Sequence, residues 1–174
     1  WIAHHRAAGV RGFLIYSNAC EDGTDALLDA LDQAGIVTHI RQTEIKKSPQ
    51  WTALKAAWHH PLVESSDWLA CLDCDEFIRL PEGIAQLSEL IEREGWDAVL
   101  MGGRVFGHNG QTGFEDALTT RRFTKAAPPD LRYPALGSYF KTLFRRDGPF
   151  RQFGVHRPRQ KSPERHPVPR WSDG

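Results

Sequence analysis

The sequence lacks a charge excess: 22 basic and 22 acidic side chains leave a formal net charge of zero over 174 residues. That balance argues against a general nucleic-acid binder, whose phosphate contacts call for a basic surplus, and against an acidic disordered tail. No run of about 18 apolar residues occurs, so this stretch contains no transmembrane helix. Cysteine is scarce, with three residues at 20, 71 and 74. An odd and small number makes a poor disulfide framework. Internal repeats are absent too. The chain opens on Trp1 without Met or a basic-then-apolar leader, and it ends in Trp171-Ser172-Asp173-Gly174. The expectation is therefore a fragment of a longer protein.

What is present is ordinary globular composition, 40% apolar and 25% charged. A chain of this length buries roughly 70% of its unfolded surface and needs neither disulfide nor metal to fold. Cys71 and Cys74 form a C-x-x-C that could be redox-active or half of a zinc site. Both lie in a segment that reads as a buried strand, where positions three apart face opposite sides. No second C-x-x-C completes a tetrahedral zinc site. Packing cysteines in a reducing, cytoplasmic setting is the stronger reading.

Residues 1–10 are helix-like. The apolar run 13–17 reads as a strand, and the polar loop 18–24 leads into a helix over 25–35. Leu27, Leu28, Leu31 and Ala34 share one face of that helix, and Gly35 ends it. A second strand is expected at 36–40. Ser48-Pro49 caps a helix running to about His60, where Pro61 stops it. A third strand at 67–73, a helix at 83–95 and a fourth strand at 96–106 follow, and residues 138–144 read as one more strand. This alternation predicts an α/β sandwich with a mainly parallel sheet. Residues 157–174 hold four Pro and a basic excess, and read as a loop or flexible arm.

The strongest chemical signal is Asp73-x-Asp75-Glu76 at the end of the third strand. Ligands in open α/β sheets bind beyond the carboxyl ends of strands. Carboxylates at i and i+2 there project the same way, and such a cluster calls for a cation. Mg²⁺ or Mn²⁺ suits it, since these ions take a few carboxylates plus substrate phosphates. A solvated strand end is the plainer reading. The loop Asn18 to Asp25 also leaves a strand for a helix. Turn and cap chemistry accounts for Gly23, Thr24 and Asp25, leaving Asn18 and Asp22 as possible base or ribose contacts.

Together these elements resemble glycosyltransferases of the GT-A fold, in particular a family 2-like group. The matching residues are Trp1-Ile2-Ala3-His4-His5-Arg6, Gly9-Val10, Phe13 through Asn18, Asp22 through Asp25, Leu27-Leu28, Asp67-Trp68 and Asp73 through Phe77. The resemblance is continuous over about the first 80 residues; beyond them Arg104 to Gly107, Arg122-Phe123, Lys141 and Val155 to Pro158 match more thinly. It implies a three-layer α/β/α sandwich with a mainly parallel, mixed central sheet, spanning 1–156 and lacking the first strand. It implies transfer of a sugar from a nucleotide-diphosphate donor, UDP-linked by preference and GDP-linked otherwise, to a glycan, lipid or protein hydroxyl. Asp73, Asp75 and His156 would hold Mn²⁺ or Mg²⁺, while Asn18, Asp22 and Asp73 would contact the nucleoside.

The residues leave several roles open. The catalytic base is Glu115 or Asp116, the only later Glu-Asp pair, or Glu76. Lys141 could bind phosphate or lie on a solvated strand face. His4-His5 and His59-His60 read as helix packing, with His5 a possible contact of the acidic motif. Trp171 could stack on a sugar if the arm folds over the site. A non-enzymatic nucleotide-sugar or glycan-binding module of the same fold is the alternative function.

Overall fold

A computed structural model describes residues 1–43, 48–80, 83–128 and 139–173. The order of elements is α1 (Ile2–Ala7), β1 (Leu14–Ser17), α2 (Thr24–Gln33), β2 (Thr38–Arg41), α3 (Pro49–Trp58), α4 (Pro61–Glu64), β3 (Trp68–Ala70), α5 (Gly83–Glu94), β4 (Ala98–Gly102), α6 (Thr119–Arg122), β5 (Phe140–Arg145), β6 (Phe150–Gln152) and β7 (Arg159–Gln160).

Local chemistry sets the helix ends. Asp22 Oδ1 accepts the Thr24 N–H at 3.0 Å at the start of α2. At its other end Gly35 takes φ 67°, while Ile36 N–H bonds Leu31 O at 2.9 Å and Gly35 N–H bonds Asp32 O at 2.8 Å. This is a Schellman stop, which needs a residue at ease with positive φ. Ser48 caps α3 by accepting the Trp51 N–H, with Pro49 in the first turn.

The sheet differs from the expected mainly parallel one. Among the strands of the described residues only β1 and β2 pair in parallel. β5 lies between β3 and β4 and is antiparallel to both, and β6 pairs antiparallel with β7. β3 and β4 still run in one direction, as strand–helix–strand alternation requires. Sequence periodicity marks β5 as a strand but carries no sign of its direction. β3 is also shorter than expected, because the chain turns at the acidic motif.

The core packs Leu54, Ala57 and Trp58 of α3, at i, i+3 and i+4, against Val63, Leu69, Ala98, Phe144, Phe150 and Phe153. Trp58 stacks on Phe144 at 6.4 Å between ring centroids, and Phe153 meets both rings edge-on. Each such aromatic contributes about 1.5–3 kcal/mol by leaving water.

The expected C-terminal arm is docked. Arg159–Gln160 pairs with β6, and Trp171 bridges in parallel to Ala98 on the edge of β4. Ser172 N–H bonds Ala98 O at 3.0 Å, and the Ser172 hydroxyl accepts the Leu100 N–H at 2.9 Å. Trp171 packs edge-on against Phe150, so it belongs to the core wall, not to a sugar platform. Edge strands attract such cover because their backbone groups are otherwise unpaired. Among the described residues no helix is long and apolar enough to cross a membrane.

Candidate functional site

The register of Ala70 opposite Leu143 and Gly102 opposite Phe140 brings the carboxyl ends of β3 and β4 to the start of β5. At that edge the chain leaves β3 and turns. Glu76 N–H bonds Asp73 O at 3.1 Å, and the Glu76 carboxylate returns to accept the Asp73 N–H at 2.8 Å. This reciprocal pair fixes the loop. Glu76 thereby staples the turn and accepts from Lys141.

Lys141, at the start of β5, enters the loop from the sheet. Its ammonium lies 2.9 Å from Asp73 Oδ2, 3.1 Å from Glu76 Oε2 and 3.1 Å from the Val155 carbonyl. The residue is 6% exposed. Burial opposes its charge, but the bonds to Asp73 and Glu76 outweigh burial and hold its pKa above the usual value. Asp75, by contrast, is exposed. His156 stands beside β5: its Nδ1 donates to Phe140 O at 3.0 Å, while Thr142 Oγ1 donates to the His156 carbonyl at 2.6 Å. With the proton on Nδ1, the neutral ring keeps its Nε2 lone pair for a ligand.

The far side of the acidic loop is held by α1. Trp1 Nε1 donates to Glu76 O at 2.7 Å, and His4 Nε2 donates to Ile78 O at 2.8 Å. His5 accepts the Ile78 N–H at Nε2, 3.2 Å away, and donates from Nδ1 to Trp1 O at 3.1 Å. Its ring is fully buried and lies roughly parallel to Phe77 at 6.1 Å. Both partners of His5 dictate a neutral imidazole. Burial pushes its pKa down, with the hydrogen bond to Trp1 acting the other way. Sequence reading named His5 as a possible contact of the acidic motif but took His4 for helix packing, because adjacent histidines suggest divergent helix faces. In the short α1 both rings reach the backbone of a single residue.

The loop after β1 is separate in its bonding. Asp22 is spent on the α2 cap, which lowers its pKa, and Asn18 is exposed. Beneath the loop, Ser17 Oγ bonds His39 Nε2 at 2.7 Å, and His39 Nδ1 bonds Asp29 Oδ1 at 2.7 Å. Arg41 closes the cluster by pairing with Asp25 and Asp29. Ser17 is buried, so this chain of bonds ties β1, β2 and α2 together beneath the loop. Residue type alone gave no signal for His39.

Glu115 and Asp116 are exposed, and Glu115 pairs with Arg122 at 3.8 Å. Among the described residues no hydrogen bond or ion pair joins either to the acidic loop. The motif, Lys141 and His156 therefore gather at one edge, and the Glu-Asp pair does not join them by any recorded contact. A cleft of about 300 Å³ lined by Asp97, Arg145, Asp147 and Lys161 lies elsewhere. Arg145 pairs with Trp68, which begins β3, so the cleft sits at the opposite end of the sheet.

Residues 1–94, which contain α1, the loop after β1 and the acidic turn, match the family model of glycosyltransferase family 92. The chain belongs to glycosyltransferase family 92. A family 92 protein of Ricinus communis is 29% identical over 89 residues, covering 48% of this chain and 15% of that relative. The chain thus matches a small part of the curated relative's length. No solved structure matches it. The family is 92, not the family 2-like group that the motifs resemble. The family 92 match ends before Lys141 and His156, so those two residues stand on geometry alone.

The acidic edge can be tested for a divalent ion by its own donors. Among the described residues no group of three His, Cys, Asp or Glu side chains is arranged to hold a metal. Asp73 and Glu76 already face Lys141. Among the described residues Asp75 and the Nε2 of His156 are the donors without a protein partner on this side of the motif, so an ion there would need phosphate oxygens and water to complete its shell. They do not fit an all-protein cage.

Proposed function

We propose that the chain forms the donor side of a metal-dependent glycosyltransferase of the GT-A type, moving a sugar from a nucleotide-diphosphate donor to an acceptor hydroxyl. The observation that carries this reading is the acidic turn at the carboxyl end of β3. It is braced by Trp1, His4 and His5 on one side and by Lys141 on the other, within a family 92 match. A turn fixed by backbone bonds places a charged group with little reorganisation, which is what stabilisation of a leaving diphosphate requires.

In this reading Asp75 faces the diphosphate, and Asn18 lies on the nucleoside side beyond β1. Mg²⁺ or Mn²⁺ would supply positive charge to the departing nucleotide diphosphate. UDP is the preferred nucleotide and GDP the next. The acceptor is a glycan, lipid or protein hydroxyl. The base that takes its proton is a carboxylate, with the exposed Glu115 and Asp116 as candidates. The existing partners of Glu76, the Asp73 N–H and the Lys141 ammonium, count against that residue.

The test is calorimetric titration of UDP, GDP and CDP, each with and without Mn²⁺, on wild type and Asp75→Ala. One nucleotide is expected to bind, to need the metal and to be lost in the variant. Metal-independent binding that survives Asp75→Ala would sink the donor-site reading. Binding without consumption of any donor sugar would make the protein a binding module.

A further inference from the structure

We propose that Lys141 is a positioning residue whose ammonium withholds Asp73 and Glu76 from a divalent cation, leaving Asp75 as the one carboxylate of the motif open to it. The inference rests on reading this edge as the donor site. An ammonium group has three protons to donate. Here it has three acceptors, Asp73 Oδ2, Glu76 Oε2 and the Val155 carbonyl, at 2.9, 3.1 and 3.1 Å. No donor is left for a phosphate oxygen. The lysine therefore acts through the carboxylates it holds.

The cation is also hard to displace. Lys141 is 6% exposed, and β5 fixes its backbone between β3 and β4. Moving the ammonium away would leave its own buried stem without the two part-exposed carboxylates that offset its burial. Asp73 and Glu76 are thus counter-ions of the sheet. The same lysine ties the turn to Val155, next to His156, and so sets the spacing between the acidic loop and that imidazole.

A divalent ion arriving at wild-type protein meets one carboxylate that the ammonium does not hold. It binds weakly until diphosphate oxygens complete its shell. Replacing the ammonium by an apolar group of similar length would expose three carboxylates to the ion instead of one.

The experiment measures Mn²⁺ binding alone, by electron paramagnetic resonance and water-proton relaxation, with thermal unfolding recorded in parallel. Lys141→Met is expected to bind Mn²⁺ at least tenfold tighter than wild type. Lys141→Arg, which keeps the charge, is expected to stay within about threefold. Unchanged or weaker binding in a folded Lys141→Met protein overturns the proposal. Tightening in both variants overturns it too, because lost packing would then explain the effect.

Should Lys141→Met fail to fold, the carboxylates decide the matter at millimolar Mn²⁺. Asp75→Asn is expected to abolish the residual binding and Asp73→Asn to leave it within about twofold. Equal losses in both would make Asp73 a metal ligand and overturn the proposal. No nucleotide enters these measurements, so failure of the donor-site reading appears separately, as absent nucleotide binding by wild type.

Discussion

Trp1 Nε1 donates a 2.7 Å hydrogen bond to the carbonyl of Glu76, joining α1 to the acidic turn across 75 positions of sequence. His4 and His5 repeat the connection two residues further on, at the carbonyl and the N–H of Ile78. Two side chains of one short helix and that of its N-cap residue thus satisfy the backbone of the loop that carries Asp73 and Asp75. Loop backbone left unpaired beside a buried ring would cost about 1–3 kcal/mol per group.

His5 gives the fold a defined response to acid. Its folded-state pKa lies below the ordinary 6.5, because burial disfavours the charged ring. The unfolded chain takes up the proton first as pH falls. The contribution is therefore complete above about pH 6.5 and is lost as pH drops through the lower folded value. His5→Gln, which does not titrate, is expected to flatten stability against pH relative to wild type below pH 6.5. His5→Ala is expected to lose about 2–4 kcal/mol at pH 7.5, from the cavity and the stranded Ile78 N–H. Urea denaturation across a pH series checks both. A wild-type curve parallel to that of His5→Gln would show that His5 is not held neutral.

The two cysteines of the C-x-x-C are expected to behave differently. Burial pushes the Cys71 thiol up to about 11, while Cys74 is exposed. Only the thiolate alkylates at useful rates. At pH 8, iodoacetamide is expected to modify Cys74 readily and to spare Cys71 until the protein is unfolded. Peptide mass spectrometry reads both sites. Equal labelling in the native state would contradict the burial of Cys71.

Trp171 is expected to support the fold. It lies against Phe150 and bridges to Ala98, and Arg157 stacks on its ring at 4.5 Å. Trp171→Ala is expected to cost about 2 kcal/mol, less than a fully buried tryptophan because the ring is half-buried. Thermal unfolding measures the loss, and limited proteolysis should begin in residues 157–173 of the variant. An unchanged melting temperature would mean that the segment does not dock in solution.

Much of the site was legible because it depends on local chemistry. Asp73, Asp75 and the loop after β1 stand at strand ends, and strand ends can be read from apolar runs bounded by polar turns. Lys141 was visible only as an ambiguous cation, since its carboxylate partners lie 65 or more positions away in sequence. Cys74 followed the opposite path: a strand to residue 73 would have suited a packing cysteine, yet β3 ends at Ala70 and leaves it exposed.

By itself the sequence determined the helices, their caps and the acidic turn, because each rests on contacts within a few residues: Ser48 with Trp51, Gly35 with the last turn of α2, Glu76 with Asp73. Only the tertiary structure decided the antiparallel β5 between β3 and β4, the docking of Trp171 on the sheet edge, and the roles of His5 and Lys141. Those features pair groups far apart along the chain. Hydrophobic pattern and spacing carry no information about which distant donor meets which acceptor, and packing alone resolves it.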